Sequence, residues 1–258
     1  MVCADEPSVV ELISNGFRMF RLCVFTLLVL AAVANPVQRT PTMAEKRLEE
    51  AGFFEGDMRF PPGRNALVNT ATRWTSKTVY YQIDGAFSAA EKNTIIGALN
   101  AIQSATCVKF VARSNQANYV YVTRENSGCW SYVGMLKGRQ QLNLQGNGCV
   151  YHGTAIHEFL HALGLHHQQS ATDRDNYVTI QFGNIQSGKE SNFDKYASSY
   201  VTDFGIGYDY GSIMHYDAYA FSKNGQKTIV TKDSSATIGQ RNGLSSKDIA
   251  KIKAMYSC

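Results

Sequence analysis

A chain of 258 residues is long enough for one large domain, or two small ones, around a hydrophobic core. With 44% hydrophobic and 18% charged residues it is neither a disordered chain nor one wholly embedded in a membrane. The net charge of +4 comes from Lys and Arg dispersed along the sequence, without the basic runs that grip phosphate backbones, which argues against a nucleic-acid partner.

In chain order, the first feature is the apolar stretch from Leu22 to Ala34, preceded by Arg18 and Arg21 and ending Ala32-Val33-Ala34. It is shorter than the roughly 20 residues of a membrane-spanning helix and has the small-residue ending of a cleavage site. Residues 1–34 are therefore expected to be a signal peptide, with an uncleaved signal anchor as the alternative. The acidic piece before Arg18 is unusual for a leader, so translation starting at Met19 is a second option. Export implies a secreted, extracellular protein with no stable membrane anchor, and an oxidising environment. Cys3 and Cys23 fall in the leader, which leaves Cys107, Cys129, Cys149 and Cys258 as candidate disulfide partners. Four cysteines allow three connectivities, and spacing does not choose among them.

Residues 35–64 are charged and contain proline, with a short helix expected over Met43–Gly52. They are expected to form a pro-segment. Pro61-Pro62-Gly63-Arg64 is a turn ending in a basic residue, suited to an activating protease. The remaining residues, 65–258, form the expected catalytic domain. Thr78–Ile83 is a strand, and Ser88 with Glu91 makes a capping box for a helix reaching about Ser104. Ile95, Ile96, Leu99 and Ile102 give that helix its apolar stripe. Short strands are expected near Cys107–Val111, Tyr119–Val122 and Gln140–Gln145, then a helix over Thr154–Leu165 stopped by Gly164. Loops and turns should dominate from Tyr177 to Gln240. Ile249, Ile252 and Met255 follow a Ser cap at helical spacing and mark a closing amphipathic helix. No accessory module is expected after Cys258.

The chemistry is concentrated in His157-Glu-Phe-Leu-His161-Ala-Leu-Gly164-Leu-His-His167. Residues four apart share a helix face, so His157 and His161 can offer two nitrogens to one metal ion. Glu158, rotated by about 100°, comes near the metal without binding it and can take a proton from water. Gly164 can end the helix in the left-handed conformation, and the returning chain brings His167 in as a third ligand. Three nitrogen ligands leave one position open, the mark of a catalytic zinc site. His166, His152 and His215 are read as non-ligands.

This long pattern resembles the metzincin metalloproteases, and HEFLHALGLHHQQSATDRDNYV looks like the signature of the astacin family. Ser212-Ile-Met214-His-Tyr216 matches that family's Met-turn. The resemblance runs from about Thr78 to Cys258 and reaches into the pro-segment. It implies an α+β, zincin-like fold of two lobes, with a mixed sheet and two helices above the cleft and an irregular lobe with a closing helix below. It further implies one Zn2+ per subunit, Met214 beneath the metal, and Tyr216 as a switchable ligand that swings away to stabilise an oxyanion. Disulfides Cys107–Cys258 and Cys129–Cys149 are implied as well. By the same resemblance, the strand near Gln140–Gln145 is the edge strand that pairs with an extended substrate. Phe54-Glu-Gly-Asp57 resembles the family's inhibitory FxGD motif, with Asp57 filling the open metal position. One position departs from the family pattern: Gln168 stands where a glutamate usually contacts the new N-terminus after activation. The expected function is that of a secreted zinc endopeptidase made as a latent zymogen. A binding protein on a protease scaffold and a zinc hydrolase of small esters or amides are the competing classes.

Overall fold

The computed structural model describes residues 41–60 and 72–258. The expected leader over 1–34 and the turn Pro61–Arg64 lie outside the described residues. Among those described, no helix is long and apolar enough to cross a membrane.

Local chemistry sets the helices. Helix α1 (Met43–Glu50) opens on a capping box in which the Thr42 hydroxyl accepts from the Glu45 amide at 3.2 Å and the Glu45 carboxylate accepts from the Thr42 amide at 2.6 Å. It ends two residues before the sequence reading, and Gly52 turns the chain at φ 72°. The chain then makes the two-residue strand β1 (Met58–Arg59). Strand β2 (Thr78–Ile83) and helix α2 (Ala89–Ala105) follow, the latter capped reciprocally by Ser88 and Glu91. Strands β3 (Lys109–Ala112), β4 (Tyr119–Thr123), β5 (Cys129–Tyr132) and β6 (Arg139–Leu144) complete the sheet partners.

The sheet runs β1-β5-β6-β4-β2-β3, parallel throughout except for the antiparallel pair β5–β6. This corrects the expected edge strand. The segment Gln140–Gln145 coincides with β6, which is hydrogen-bonded on both sides, to β4 and to β5. Within residues 72–258 the sheet ends at β3 on one side and at β5 on the other, and the free side of β5 is taken by β1 of the 41–60 segment. Edge status depends on which distant strands pair, so no local pattern in β6 announces its interior position.

Helix α3 (His152–Leu163) is buried from Gly153 to Leu163, on every face. Gly153 is needed for a close approach, because a Cβ there would lie 1.7 Å from the Arg241 carbonyl. Ile95, Ala98, Leu99 and Ile102 of α2 join Ile156, Phe159 and Leu160 of α3 and Val79, Val120 and Leu142 of the sheet in one core. Ile96, expected in that stripe, is instead 36% exposed, since it lies 100° round the helix from Ile95.

Residues 177–240 are mostly turns, yet they hold a small antiparallel pair, β7 (Val178–Ile180) with β8 (Ile229–Thr231), which the sequence reading missed. A second apolar cluster of Val178, Ile185, Phe193, Tyr208, Tyr216, Phe221 and Ile229 supports this lower lobe. Helix α4 (Ser246–Tyr256) closes the chain, buries Ile252 and Tyr256, and donates from the Tyr256 hydroxyl to the Leu163 carbonyl at 2.8 Å. Its end is bonded to the start of the β3 segment through Cys107–Cys258, and Cys129–Cys149 joins β5 to the loop before α3. Closing a loop of 151 residues contributes on the order of 4–5 kcal/mol in the chain-entropy account.

Candidate metal centre and catalytic site

His157 and His161 lie one turn apart on α3. The helix stops at Gly164 (φ 114°), whose amide reaches the Leu160 and His161 carbonyls, and the chain reverses to bring in His167. The three Nε2 atoms lie 3.2 Å from one another. Each ring is held from behind. The Nδ1–H of His157 donates to the Ile213 carbonyl, that of His161 to the Leu165 carbonyl, and that of His167 to the Glu55 carboxylate, all at 2.8 Å. With Nδ1–H donating outward, each neutral imidazole aims an Nε2 lone pair at the centre, and three such lone pairs need a proton or a metal ion between them. Asp57 adds its carboxylate at 3.1 Å from His157, 3.2 Å from His167 and 3.4 Å from His161.

These distances test the fit of a metal. A tetrahedron with edges of this length has its centre about 2.0 Å from each corner, the bond length of zinc to imidazole nitrogen and carboxylate oxygen. Four converging acceptors, all buried, satisfy the donor set of a zinc ion. The electrostatics also ask for a positive charge here. Burial alone would depress His167, but Asp57 and Glu55 outweigh it and lift its pKa to about 9. Burial holds His157 down at about 3, and also lowers His161. Burial works against the Asp57 carboxylate too, yet His167 and His161 hold it well below the usual carboxylate range.

Glu158 is fully buried, and neither carboxylate oxygen has a hydrogen-bond partner among the described residues. Burial, then the Asp57 charge, pushes its pKa well above the ordinary value. A buried carboxyl left unpartnered costs several kcal/mol and calls for an explanation in function. Met214 is buried among the core residues next to the site, and its carbonyl accepts from the Gln168 amide at 3.0 Å. The Tyr216 ring centroid lies 4.8 Å from that of His167, and its hydroxyl donates to the Glu55 carbonyl at 2.6 Å. Tyr216 is thus turned toward the 41–60 segment rather than grouped with the four side chains that could hold a metal ion.

The other histidines stand apart from this centre. His166 stacks on Phe60 at 6.1 Å, and burial lowers its pKa to about 3. His215 donates from Nδ1 to the Tyr216 carbonyl at 2.7 Å, which leaves Nε2 to accept from the Tyr208 hydroxyl at 2.7 Å. His152 is exposed at the start of α3. Gln168 is buried, and its side-chain oxygen accepts from the Lys251 ammonium beside a cavity of about 440 Å³.

Two residues of the site escaped the sequence reading. Glu55, inside the Phe54–Asp57 motif, orients His167 with its side chain and Tyr216 with its backbone. Arg241 donates to the His215 carbonyl at 3.0 Å, and its charge acts on His157, Glu158 and Asp57. Neither carried a local signal, since their partners lie far away in sequence.

A family model described as Astacin, a peptidase family, matches residues 66–257. The chain belongs to the astacin family. It is 42% identical over 195 residues to zinc metalloproteinase nas-15 of Caenorhabditis elegans, covering 75% of this chain and 34% of that protein. Blastula protease 10 of Paracentrotus lividus is 38% identical over 224 residues (83% of this chain, 37% of that protein), and rat meprin A subunit beta 40% over 210 (80% and 29%). The chain therefore spans about a third of the length of these relatives. Among solved structures, the hatching enzyme zinc-protease HCE-1 of the medaka Oryzias latipes superposes with a TM-score of 0.68 at 37% identity, over 72% of this chain and 93% of that one. The mixed sheet, the two clustered lobes and the closing helix are those of a two-lobed α+β metzincin. The family's zinc fits the four-residue group derived above.

Proposed function

We propose that this chain is a secreted zinc endopeptidase made in latent form, with a signal peptide over residues 1–34, a pro-segment over 35–64 and a catalytic domain over 65–258. The observation that carries the reading is the convergence of three Nε2 lone pairs with a fourth position held by a carboxylate of the pro-segment. His157, His161 and His167 would hold the zinc, and Asp57 would block the position that a catalytic site keeps open. When bound there, Zn2+ lowers the pKa of water and polarises a carbonyl.

The remaining steps belong to the chain's own residues. An activating protease cuts near Arg64 and the pro-segment leaves, taking Asp57 and Glu55 with it. Glu158 then takes the proton of the attacking water and delivers it to the leaving amine. Tyr216, freed from the Glu55 carbonyl, turns its hydroxyl to the developing oxyanion. An extended protein or peptide substrate adds to the side of β5 that β1 vacates, bound by main-chain hydrogen bonds. That extended mode, together with intact ligands and general base, favours protein substrates over small esters and over a binding-only role.

The test uses the secreted chain, assayed on casein before and after treatment with a trypsin-like protease, with and without a zinc chelator. Cleavage that appears only after trimming and vanishes with chelator is the expected result. A folded, trimmed and zinc-loaded protein that cleaves nothing would overturn the reading.

A further inference from the structure

The guanidinium of Arg59 is surrounded by rings. Its central carbon lies 5.1 Å from the centroid of Phe53, 5.2 Å from that of Trp130 and 5.2 Å from that of Tyr132. Among the described residues it has no carboxylate partner. Trp130 and Tyr132 are two apart on β5, so both rings rise from one face of the strand, 6.0 Å apart and edge to face. The Trp130 indole is pinned, since its Nε1–H donates to the Ser127 hydroxyl at 3.1 Å. Arg59 itself is in register with Tyr132 on the parallel β1–β5 ladder. A cation with no anionic partner therefore rests on aromatic faces, along the strand edge proposed above to receive substrate.

We infer that Trp130 and Tyr132 form a subsite that selects a cationic side chain, Arg or Lys, in the extended substrate, and that Arg59 occupies this subsite in the latent chain. The inference rests on the endopeptidase reading. Phe53 departs with the pro-segment, whereas the two rings of β5 remain. A substrate cation there keeps the attraction of the ring quadrupoles without desolvating a buried counter-charge. Asp57, on the metal position, and Arg59 are two residues apart, about 6.6 Å along an extended chain. The subsite accordingly lies within two or three residues of the scissile bond.

The experiment compares peptides that differ at one position, scanned over three residues on each side of the cleaved bond, bearing Arg, Lys, citrulline or Glu. Citrulline keeps the shape of arginine and loses its charge. With trimmed, zinc-loaded enzyme, one position is expected to show kcat/KM for Arg about 3- to 30-fold above citrulline. Tyr132→Leu should bring that ratio close to one, and Tyr132→Phe, which keeps a ring, should retain it. Taking the ratio within one enzyme cancels any general loss in the variant, and the wild-type comparison needs no variant at all. Equal kcat/KM at every position, or an unchanged ratio in Tyr132→Leu, overturns the subsite. A second readout is binding of a synthetic peptide of residues 53–60, with arginine or citrulline at position 59, to the trimmed protein. If no peptide is cleaved, the endopeptidase reading falls, and this binding decides the subsite alone: weaker binding of the citrulline form keeps it and equal binding overturns it.

Discussion

The metal centre is built from two halves that are packed very differently. One half is α3 and the turn after it, where His157, His161 and Glu158 sit in a helix buried on every face. The other is the 41–60 segment, proposed above as the pro-segment, where α1 buries only Leu48 and the two-residue β1 buries Met58. At roughly 1.5–3 kcal/mol per buried aliphatic side chain, α1 brings one such increment and α2, with Ile95, Leu99 and Ile102, several. Beside the buried Leu48 and Met58 and the packing of Phe53 on Trp130, this segment makes directed contacts into the site: Asp57 on the three imidazoles, Glu55 on His167 and Tyr216, Arg59 on its rings. On the proposed reading, a half with fewer buried aliphatic side chains than α2 and α3 bring, and with directed contacts into the site, can block it and still leave after a cut.

The largest effect should come from the α3 half. Glu158→Gln is expected to lower kcat about 10²- to 10⁴-fold in trimmed enzyme while zinc content, read by atomic absorption, stays at one per chain. Retained turnover would remove Glu158 from the role of general base. Tyr216 belongs to both halves, so Tyr216→Phe sharpens the comparison. It should cost about 10²- to 10³-fold in kcat after trimming. In the uncut chain the same change deletes only the hydrogen bond to the Glu55 carbonyl, worth about 1 kcal/mol.

On the removable side, Asp57→Ala should raise the casein activity of the uncut chain on the order of a hundredfold, because a buried charge partner of the histidines is gone. An uncut variant as silent as the wild type would mean that bulk in the cleft, rather than the carboxylate, maintains latency.

How much of this was legible in the sequence follows the same division. The helix face carrying His157 and His161 is a local pattern, and so are the reciprocal caps of α2 and α4, which the sequence shows as Ser with an acidic residue three positions on. Strand β5 was not legible: Cys-Trp-Ser-Tyr is four residues without alternation, and it becomes a strand only by pairing with β6 on one side and β1 on the other. The three-residue strands β7 and β8 are separated by about fifty residues and gave no periodicity. Glu55 and Arg241 act through partners more than 100 and about 80 positions away, His167 and Glu158 respectively, so their roles are products of the fold.

The smallest predicted effect separates the two halves by pH. Glu49 on α1 accepts the Phe221 amide of the lower lobe at 2.9 Å. Burial raises its pKa from 4.5 to about 7; the Phe221 hydrogen bond opposes this, while the charges of Asp217, Glu45 and Glu50 add to it. Once the pro-segment leaves, the carboxyl returns to water and to a value near 4.5. The docked state therefore binds more protons between those two values. Its contribution to docking is full below about pH 4.5 and is lost as pH rises toward 7. In chains nicked near Arg64, the ratio of pro-segment dissociation constants, wild type over Glu49→Gln, should rise by roughly forty-fold from pH 5 to 7 and level off above about pH 8. Taking the ratio cancels the titration of the metal centre, which the two proteins share. A flat ratio would mean that Glu49 stays ionised and solvated in the docked state. The 41–60 segment would then be held mainly at the metal centre and on β5, with α1 contributing Leu48 and the Arg47 hydrogen bond to the Asn147 carbonyl.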